Sequence, residues 1–316
     1  MDWANEKIMT NTTTNNSRHL KVSVVICVRN MDQCLSRQLD AVLAQETAFP
    51  FEIIVADNAS TDGSRDIALA YTAQNSRVRV VDAPIIGVNA ARNRGIEAAI
   101  AGIIVLCDAD DEVEPGWLAA LIGALEPATY VAGSLRLGGP DSAIVRRRWA
   151  VEDQVAAVPH WILEGFRTAS GNNCCFYKAM WASLGGFDET LSGAGDETDF
   201  FVRAGRAGYG FKEAPDAVVG VGLRPRALEV WRHDYRFGKH QRRVISRWNS
   251  SGWPWSRVAL TFCRLAAQLP NVAIQRRGWY AWVSALATYT GIAVQQVKGI
   301  KSSIKRHPAQ SSGEQT

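Results

Sequence analysis

The sequence predicts an α/β protein built on a mostly parallel sheet flanked by helices, and two observations carry that expectation. Short runs of branched apolar residues alternate with helical patterns four times between Lys21 and Leu106, the order of successive β-α-β units. One of those runs, Ile103-Ile104-Val105-Leu106-Cys107, stops abruptly at Asp108, Asp110 and Asp111. It shows no polar alternation, which marks a strand buried on both faces. Open α/β sheets bind ligands outside the carboxyl ends of their strands, so the acids stand where a ligand is expected. Three carboxylates so close repel one another unless a proton or a cation intervenes, and hard oxygen donors suit Mg²⁺ or Mn²⁺. A solvated acidic turn is the plain alternative for such a motif taken alone.

The first strand is Lys21 to Arg29, nearly continuous in apolar residues, and a helix with Leu35, Leu39, Val42 and Leu43 on one face follows. The second strand, Phe51 to Ala56, ends in Asp57-Asn58-Ala59-Ser60-Thr61-Asp62-Gly63-Ser64, a turn rich in acceptors and hydroxyls before the next helix. Val78 to Val81 is a short third strand, and Gly87 to Gly95 opens a small-residue helix that leads into the Ile103 run. Beyond the acids, Pro115 and Trp117 open another helix, with Pro in its first turn. Residues 129–149 read as two weaker strands in a hairpin around Gly138-Gly139-Pro140. Asp196, Glu197 and Asp199 crowd the start of a further helix, where its dipole favours negative charge. Asp216 to Val221 is the last strand expected.

Composition adds a division of labour. Hydrophobic residues make up 47% and charged residues 21% of the chain, as in ordinary folded proteins. The six cysteines form no Cys-x-x-Cys pair and read as small buried hydrophobes in a reducing compartment. Residues 224–306 carry 16 Lys and Arg against two acids, a net +14, which leaves −10 on the rest of a chain whose total is +4. The expected organisation is a disordered lead-in without a signal peptide (1–20), one α/β domain (21–223), a basic, Trp-rich helical extension (224–306) and a disordered tail (307–316). Within the extension, Trp279 to Val297 holds 19 residues without a formal charge, flanked by Arg276-Arg277 and by Lys298 and Lys301. Three readings stay open for it: a helix lying in an anionic membrane surface, a helix packed on the protein, or a span.

Six motifs in order give the domain a resemblance: VSVVICVRN, DNASTDGS, GVNAARNRGI, the Asp108–Asp111 acids, GGFDE and GDETDF. Over residues 21–222 the chain resembles the family-2 glycosyltransferases with a GT-A nucleotide-binding fold. That resemblance implies an inverting, metal-dependent enzyme moving a sugar from a nucleoside-diphosphate sugar, a UDP-sugar first, to a hydroxyl of a saccharide or lipid-linked acceptor. It implies a place in cell-surface or exopolysaccharide biosynthesis, and the basic extension adds the expectation of peripheral attachment at the cytoplasmic face of the membrane. It also implies roles. Asp57 meets the base or ribose, Arg92 lies near the nucleotide, Asp108 faces the ribose or the metal, and Asp110 ligates the metal that bridges the phosphates. Of the acid pair, Glu197 is the base by position and Asp196 its neighbour. Relatives usually have Glu before Asp, so the inverted order here leaves Asp196 as the second candidate.

A second departure is the absence of a histidine after the last strand, in Ala217 to Val221. Coordination then rests on one or two carboxylates with water and phosphate, which Mg²⁺ tolerates. Gln241-Arg242-Arg243 and Arg247-Trp248 resemble the Gln-x-x-Arg-Trp motif of processive synthases at the wrong spacing, and no processivity is assigned. No nucleic-acid motif accompanies the basic face. Two other functions compete. A sugar nucleotidyltransferase needs a glycine- and lysine-rich loop after the first strand, and VRNMDQC is not one. A non-catalytic carbohydrate-binding or scaffold protein has no need of acids at both sites.

Overall fold

The structure is a computed structural model. It describes residues 21–306 apart from 138–154, 157–160, 164, 192, 194–195, 225, 249–254 and 276–278. The expected lead-in, the turn at Gly138-Gly139-Pro140 and the tail lie outside the described residues.

The apolar runs form the centre of one sheet because they leave no polar face to water. β1 (Val22–Val28), α1 (Leu35–Leu43), β2 (Phe51–Asp57), α2 (Ser64–Gln74), β3 (Val78–Asp82), α3 (Val88–Ala98) and β4 (Ile103–Asp108) alternate as expected. The four strands are parallel, in the order β3-β2-β1-β4. Register then sets the site: Asp57 pairs with Val28 and Asp108 with Cys27, so both acids emerge at one edge, on either side of the end of β1.

Past β4 the sheet becomes mixed. β5 (Glu112–Val113), α4 (Trp117–Ala124), β6 (Thr129–Leu137), β7 (Val155–Ala156), β8 (Trp161–Leu163) and β9 (Phe166–Thr168) follow. After them come β10 (Asn173–Tyr177), α5 (Lys178–Ser183), α6 (Asp196–Arg206) and β11 (Gly210–Val221). β10 runs antiparallel between β4 and β6, β11 is parallel to β6, and β5 closes the edge antiparallel to β11. The return strand against β6 is β7, and β8 and β9 pair as a separate ribbon. Pro115 precedes α4 rather than sitting in its first turn, because Gly116 takes the left-handed cap position at φ 82°. One face of the sheet packs Leu35, Leu39, Val42, Trp117 and Leu121. The other packs an aromatic layer in which Phe187 stacks on Phe200 at 4.3 Å and Tyr130 lies 4.9 Å from Phe201.

The basic extension forms α7 (Ala227–Trp248), α8 (Trp255–Gln275) and α9 (Trp279–Arg306). Two glycines let α7 and α9 approach backbone to backbone. A Cβ on Gly238 would fall 1.9 Å from the carbonyl oxygen of Thr288, and one on Gly291 would fall 2.2 Å from that of Tyr235. Ala287 and Ile292 are buried there, and Trp282 Nε1 donates to the carbonyl of Leu265 on α8 at 2.8 Å. Of the three readings for Trp279–Val297, the structure supports packing on the neighbouring helices. Among the described residues no helix is long and apolar enough to cross a membrane.

Candidate active site

At the end of β4, one carboxylate oxygen from each of Asp108, Asp110 and Asp111 lies within 4.8 Å of the others. The backbone there is held by a residue on the apolar face of α1. The Gln38 side chain donates to the Asp108 carbonyl (3.0 Å) and accepts from the Val113 N–H (3.1 Å). Asp110 is exposed, whereas Asp111 is buried and accepts from Asn172 Nδ2 at 2.8 Å. Burial, then the charges of Asp108 and Asp110, push the Asp111 carboxyl well above the ordinary carboxylate range. Burial also pushes Asp108 up to about 6, opposed by Arg92 and reinforced by Asp110 and Asp196. Concentrated, mutually repelling hard oxygens are the donor set that a divalent cation requires, so the residues fit Mg²⁺ or Mn²⁺. Sequence reasoning named Asp110 alone as the ligand; the fold brings Asp111 into the same cluster.

A second acidic group lies across a buried arginine. Arg92 Nη1 is 3.1 Å from Asp196 Oδ1 and 3.7 Å from Glu197 Oε2, while Nη2 is 4.0 Å from Asp108 Oδ1. Nη1 also donates to Asn89 Oδ1 at 3.2 Å, and the guanidinium lies over the Phe187 ring. Burial works against its charge, but Asp196, Glu197 and Asp108 outweigh that and keep it protonated. Arg92 therefore links the strand-end acids to the helix-start acids. The room it occupies exists because residue 171 is glycine: a Cβ there would lie 2.3 Å from Arg92 Nη2.

The helix-start acids differ in what they can do. Asp196 is buried, with Oδ1 taken by Arg92 and by the Glu197 N–H (3.0 Å). Glu197 keeps 17% of its side chain exposed. Burial and then the charge of Asp196 raise its carboxyl well above the ordinary glutamate value. Asp199 is fully buried and engages Arg203 (2.8 Å), Trp248 Nε1 (3.0 Å) and Arg247 (3.3 Å). Its oxygens are occupied in joining α6 to the end of α7.

A cavity of about 250 Å³ opens at the strand ends between β1, α3 and the first acids, with Cys27, Asn58, Gly87, Asp108 and Asp110 in its wall. Asp57 lies just behind that wall. Its carboxylate accepts from the Ser60 N–H (3.3 Å) and from Arg65 (3.2 Å). Asn58 is the residue at the surface of the cavity. Its amide donates to the carbonyls of Ala83 and Ile85 (both 2.7 Å) and accepts from the Gly87 N–H (2.9 Å). Arg92 also stays out of this wall, its side chain turned toward the acids.

The sequence profile of Glycosyl transferase family 2 matches residues 23–182, just over half of the chain. The chain belongs to this family. EpsH of Bacillus subtilis is 34% identical over 131 residues, which cover 42% of this chain and 34% of that protein. The glycosyltransferase AglE of Haloferax volcanii is 26% identical over 245 residues, 76% of each chain. Among solved structures, the mannosyltransferase PcManGT of Pyrobaculum calidifontis, in complex with GDP-Man and Mn²⁺, superposes with a TM-score of 0.59 at 18% identity. That match covers 89% of this chain and 88% of the other. The likeness is one of fold, and the fold is GT-A.

For a family-2 chain, the supporting residues that sequence reasoning passed over are amides. Gln38, Asn58, Asn89 and Asn172 hold the strand-end acids, the cavity wall and the α6 start, the last through Asn89 Nδ2, which donates to the Asp196 carbonyl (3.4 Å) and, ahead of the helix, to those of Asp188 (2.9 Å) and Leu191 (3.2 Å). The one signal available was a polar residue inside an apolar pattern, as with Gln38 between Leu35, Leu39 and Val42. The Arg247-Trp248 pair serves a structural end here. Arg247 meets Asp188 as well as Asp199, and Arg206 stacks on the Trp248 ring at 4.4 Å.

Proposed function

We propose that residues 21–223 catalyse transfer of a sugar from a nucleoside-diphosphate sugar to an acceptor hydroxyl by a single inverting displacement, with 224–306 as a helical arm. The observation that carries this reading is the Arg92 bridge, which joins a metal-suited acid cluster beside a strand-end cavity to a second, partly accessible acid pair. An acceptor hydroxyl is too weak an acid to attack unaided at neutral pH. Glu197 takes its proton, the hydroxyl oxygen bonds to the anomeric carbon, and the bond from that carbon to the diphosphate breaks with inversion. Glu197 is favoured over Asp196 by its exposure, while Asp196 is buried with its Oδ1 already held by Arg92 and by the Glu197 N–H. Asp110 and Asp111, with Asp108, would hold Mg²⁺ or Mn²⁺, which when bound supplies neutralisation of the charge on the departing diphosphate. Asp57 and Asn58 line or back the position of the nucleoside, and Arg92 fixes the spacing of the two acid groups.

A screen of UDP-, GDP- and other nucleotide sugars for Mn²⁺-dependent release of nucleoside diphosphate tests the reading. Turnover of one donor is expected. Release of pyrophosphate from a nucleoside triphosphate and a sugar phosphate would favour a nucleotidyltransferase, and no turnover would favour a binding or scaffold protein.

The acid-free stretch of α8 and α9, with Leu260 50% and Leu269 39% exposed, supports peripheral attachment to an anionic membrane surface. Each basic residue near such a surface contributes about 1 kcal/mol, screened over roughly 8 Å at physiological salt. Co-sedimentation with anionic but not neutral vesicles, reversed by high salt, is the expected result. Equal recovery with neutral vesicles would overturn it.

A further inference from the structure

The chain leaving β11 passes directly beside the metal-suited acids. Val219 and Gly220 pair antiparallel with Val113 and Glu112, and the same register continued by two residues sets Gly222 opposite Asp110. A Cβ on Gly222 would fall 3.8 Å from the Asp110 carbonyl oxygen. Arg224 follows, between the end of β11 at Val221 and the start of α7 at Ala227. Burial pushes the Asp111 carboxyl up, and the Arg224 charge opposes that rise. The guanidinium thus stands within electrostatic reach of the cluster. It does so on an irregular segment, where holding a long side chain in one place costs rotamer freedom.

Two neighbours push Arg224 away. Arg232 and Arg236 of α7 share with it the wall of a hollow of about 580 Å³, and like charges repel. Glu229, the acid in that wall, also faces Arg226 at 3.8 Å. A contact that draws Arg224 in comes from the far end of the basic extension. The Tyr280 hydroxyl oxygen, at the start of α9, accepts from both the main-chain N–H and the guanidinium of Arg224. Burial raises that hydroxyl above the ordinary tyrosine value, so it is a neutral acceptor at pH 7. Its support is firm, because α9 lies backbone to backbone on α7 at Gly238 and Gly291, and Trp282 ties it to α8. We propose that Tyr280 is a positioning residue of the active site: from the basic arm it holds the Arg224 guanidinium beside the Asp108–Asp111 cluster. The arm thereby sets the charge balance of the metal site, an inference that rests on the metal-dependent glycosyltransferase reading.

A double-mutant cycle on the full chain tests it. Mn²⁺ is titrated calorimetrically into the wild type, Tyr280→Phe, Arg224→Ala and the double variant. Removing a cation that stands beside the ligands should tighten Mn²⁺ binding by about tenfold in Arg224→Ala. Tyr280→Phe keeps the ring and frees the guanidinium to move toward water, so it should tighten binding by about threefold. The double variant should match Arg224→Ala, because Tyr280 acts through that residue. Wild-type affinity in Tyr280→Phe, or a further change when it is added to Arg224→Ala, would overturn the positioning role. The same cycle is run on kcat/KM for metal-dependent donor hydrolysis. Both single variants should be slower there, and the double variant no slower than Arg224→Ala. Wild-type protein that binds no Mn²⁺ would overturn the metal site, and the role of Tyr280 with it. Wild-type protein that binds Mn²⁺ but hydrolyses no sugar nucleotide would overturn the glycosyltransferase reading, and the titration would still decide whether Tyr280 holds Arg224 at the cluster.

Discussion

Asp110→Ala is expected to abolish sugar transfer, lowering it by a factor on the order of 10² or more, and to remove the metal dependence of donor binding. Asp110 is the exposed member of the three-carboxylate cluster and stands in the cavity wall. It is therefore the carboxylate best placed to reach a cation shared with a bound diphosphate. Asp111 is buried against Asn172 and Asp108 faces Arg92, so neither can move out to replace it. The loss should come without loss of fold. Removing one of three mutually repelling charges relaxes the metal-free cluster, so the melting temperature in EDTA should not fall. Activity assays over a metal titration, paired with thermal melts, check both halves. Wild-type-like transfer by the variant at saturating donor and metal would remove Asp110 from the site.

Glu197→Gln should cut transfer by a factor on the order of 10²–10⁴ while donor affinity stays near that of the wild type. A base works only when ionised. Burial, then the charge of Asp196, raise the Glu197 carboxyl well above its ordinary value of 4.5, and Arg92 pulls it back only in part. The transfer rate should accordingly climb with pH, with the midpoint of that climb above 4.5, and the climb should vanish in the glutamine variant. The sign for stability follows from the same shift. A carboxyl whose value is raised by folding weakens the fold as pH rises above its unfolded value, so the glutamine variant should melt no lower at neutral pH. Single-turnover transfer and melts across a pH series measure both effects. An Asp196→Asn variant that is crippled beside an active Glu197→Gln would reverse the assignment.

Sequence alone was enough for whatever depends on neighbours along the chain. The runs at Val22, Phe51 and Ile103 read as buried strands because their apolar residues follow without a break. The acids at 108–111 and 196–199 read as a strand end and a helix start because both signals span only a few positions. Family order then placed the two acid groups in one enzyme. Which side chains meet across the fold was decided by packing. Arg92 and Asp196 are 104 residues apart, and a residue on α3 can face the cavity or the acids with no change in periodicity. It faces the acids because Gly171 leaves room for its guanidinium there and three carboxylates stabilise its buried charge. Asn58 reaches the cavity wall while Asp57 is drawn back by Arg65 and Ser60, although the two are adjacent in one turn. Trp279–Val297 packs on α7 through Gly238 and Gly291, because only facing glycines allow two helix backbones so close. Hydropathy of the segment alone cannot report that, since the absence of a side chain matters only when another backbone lies opposite.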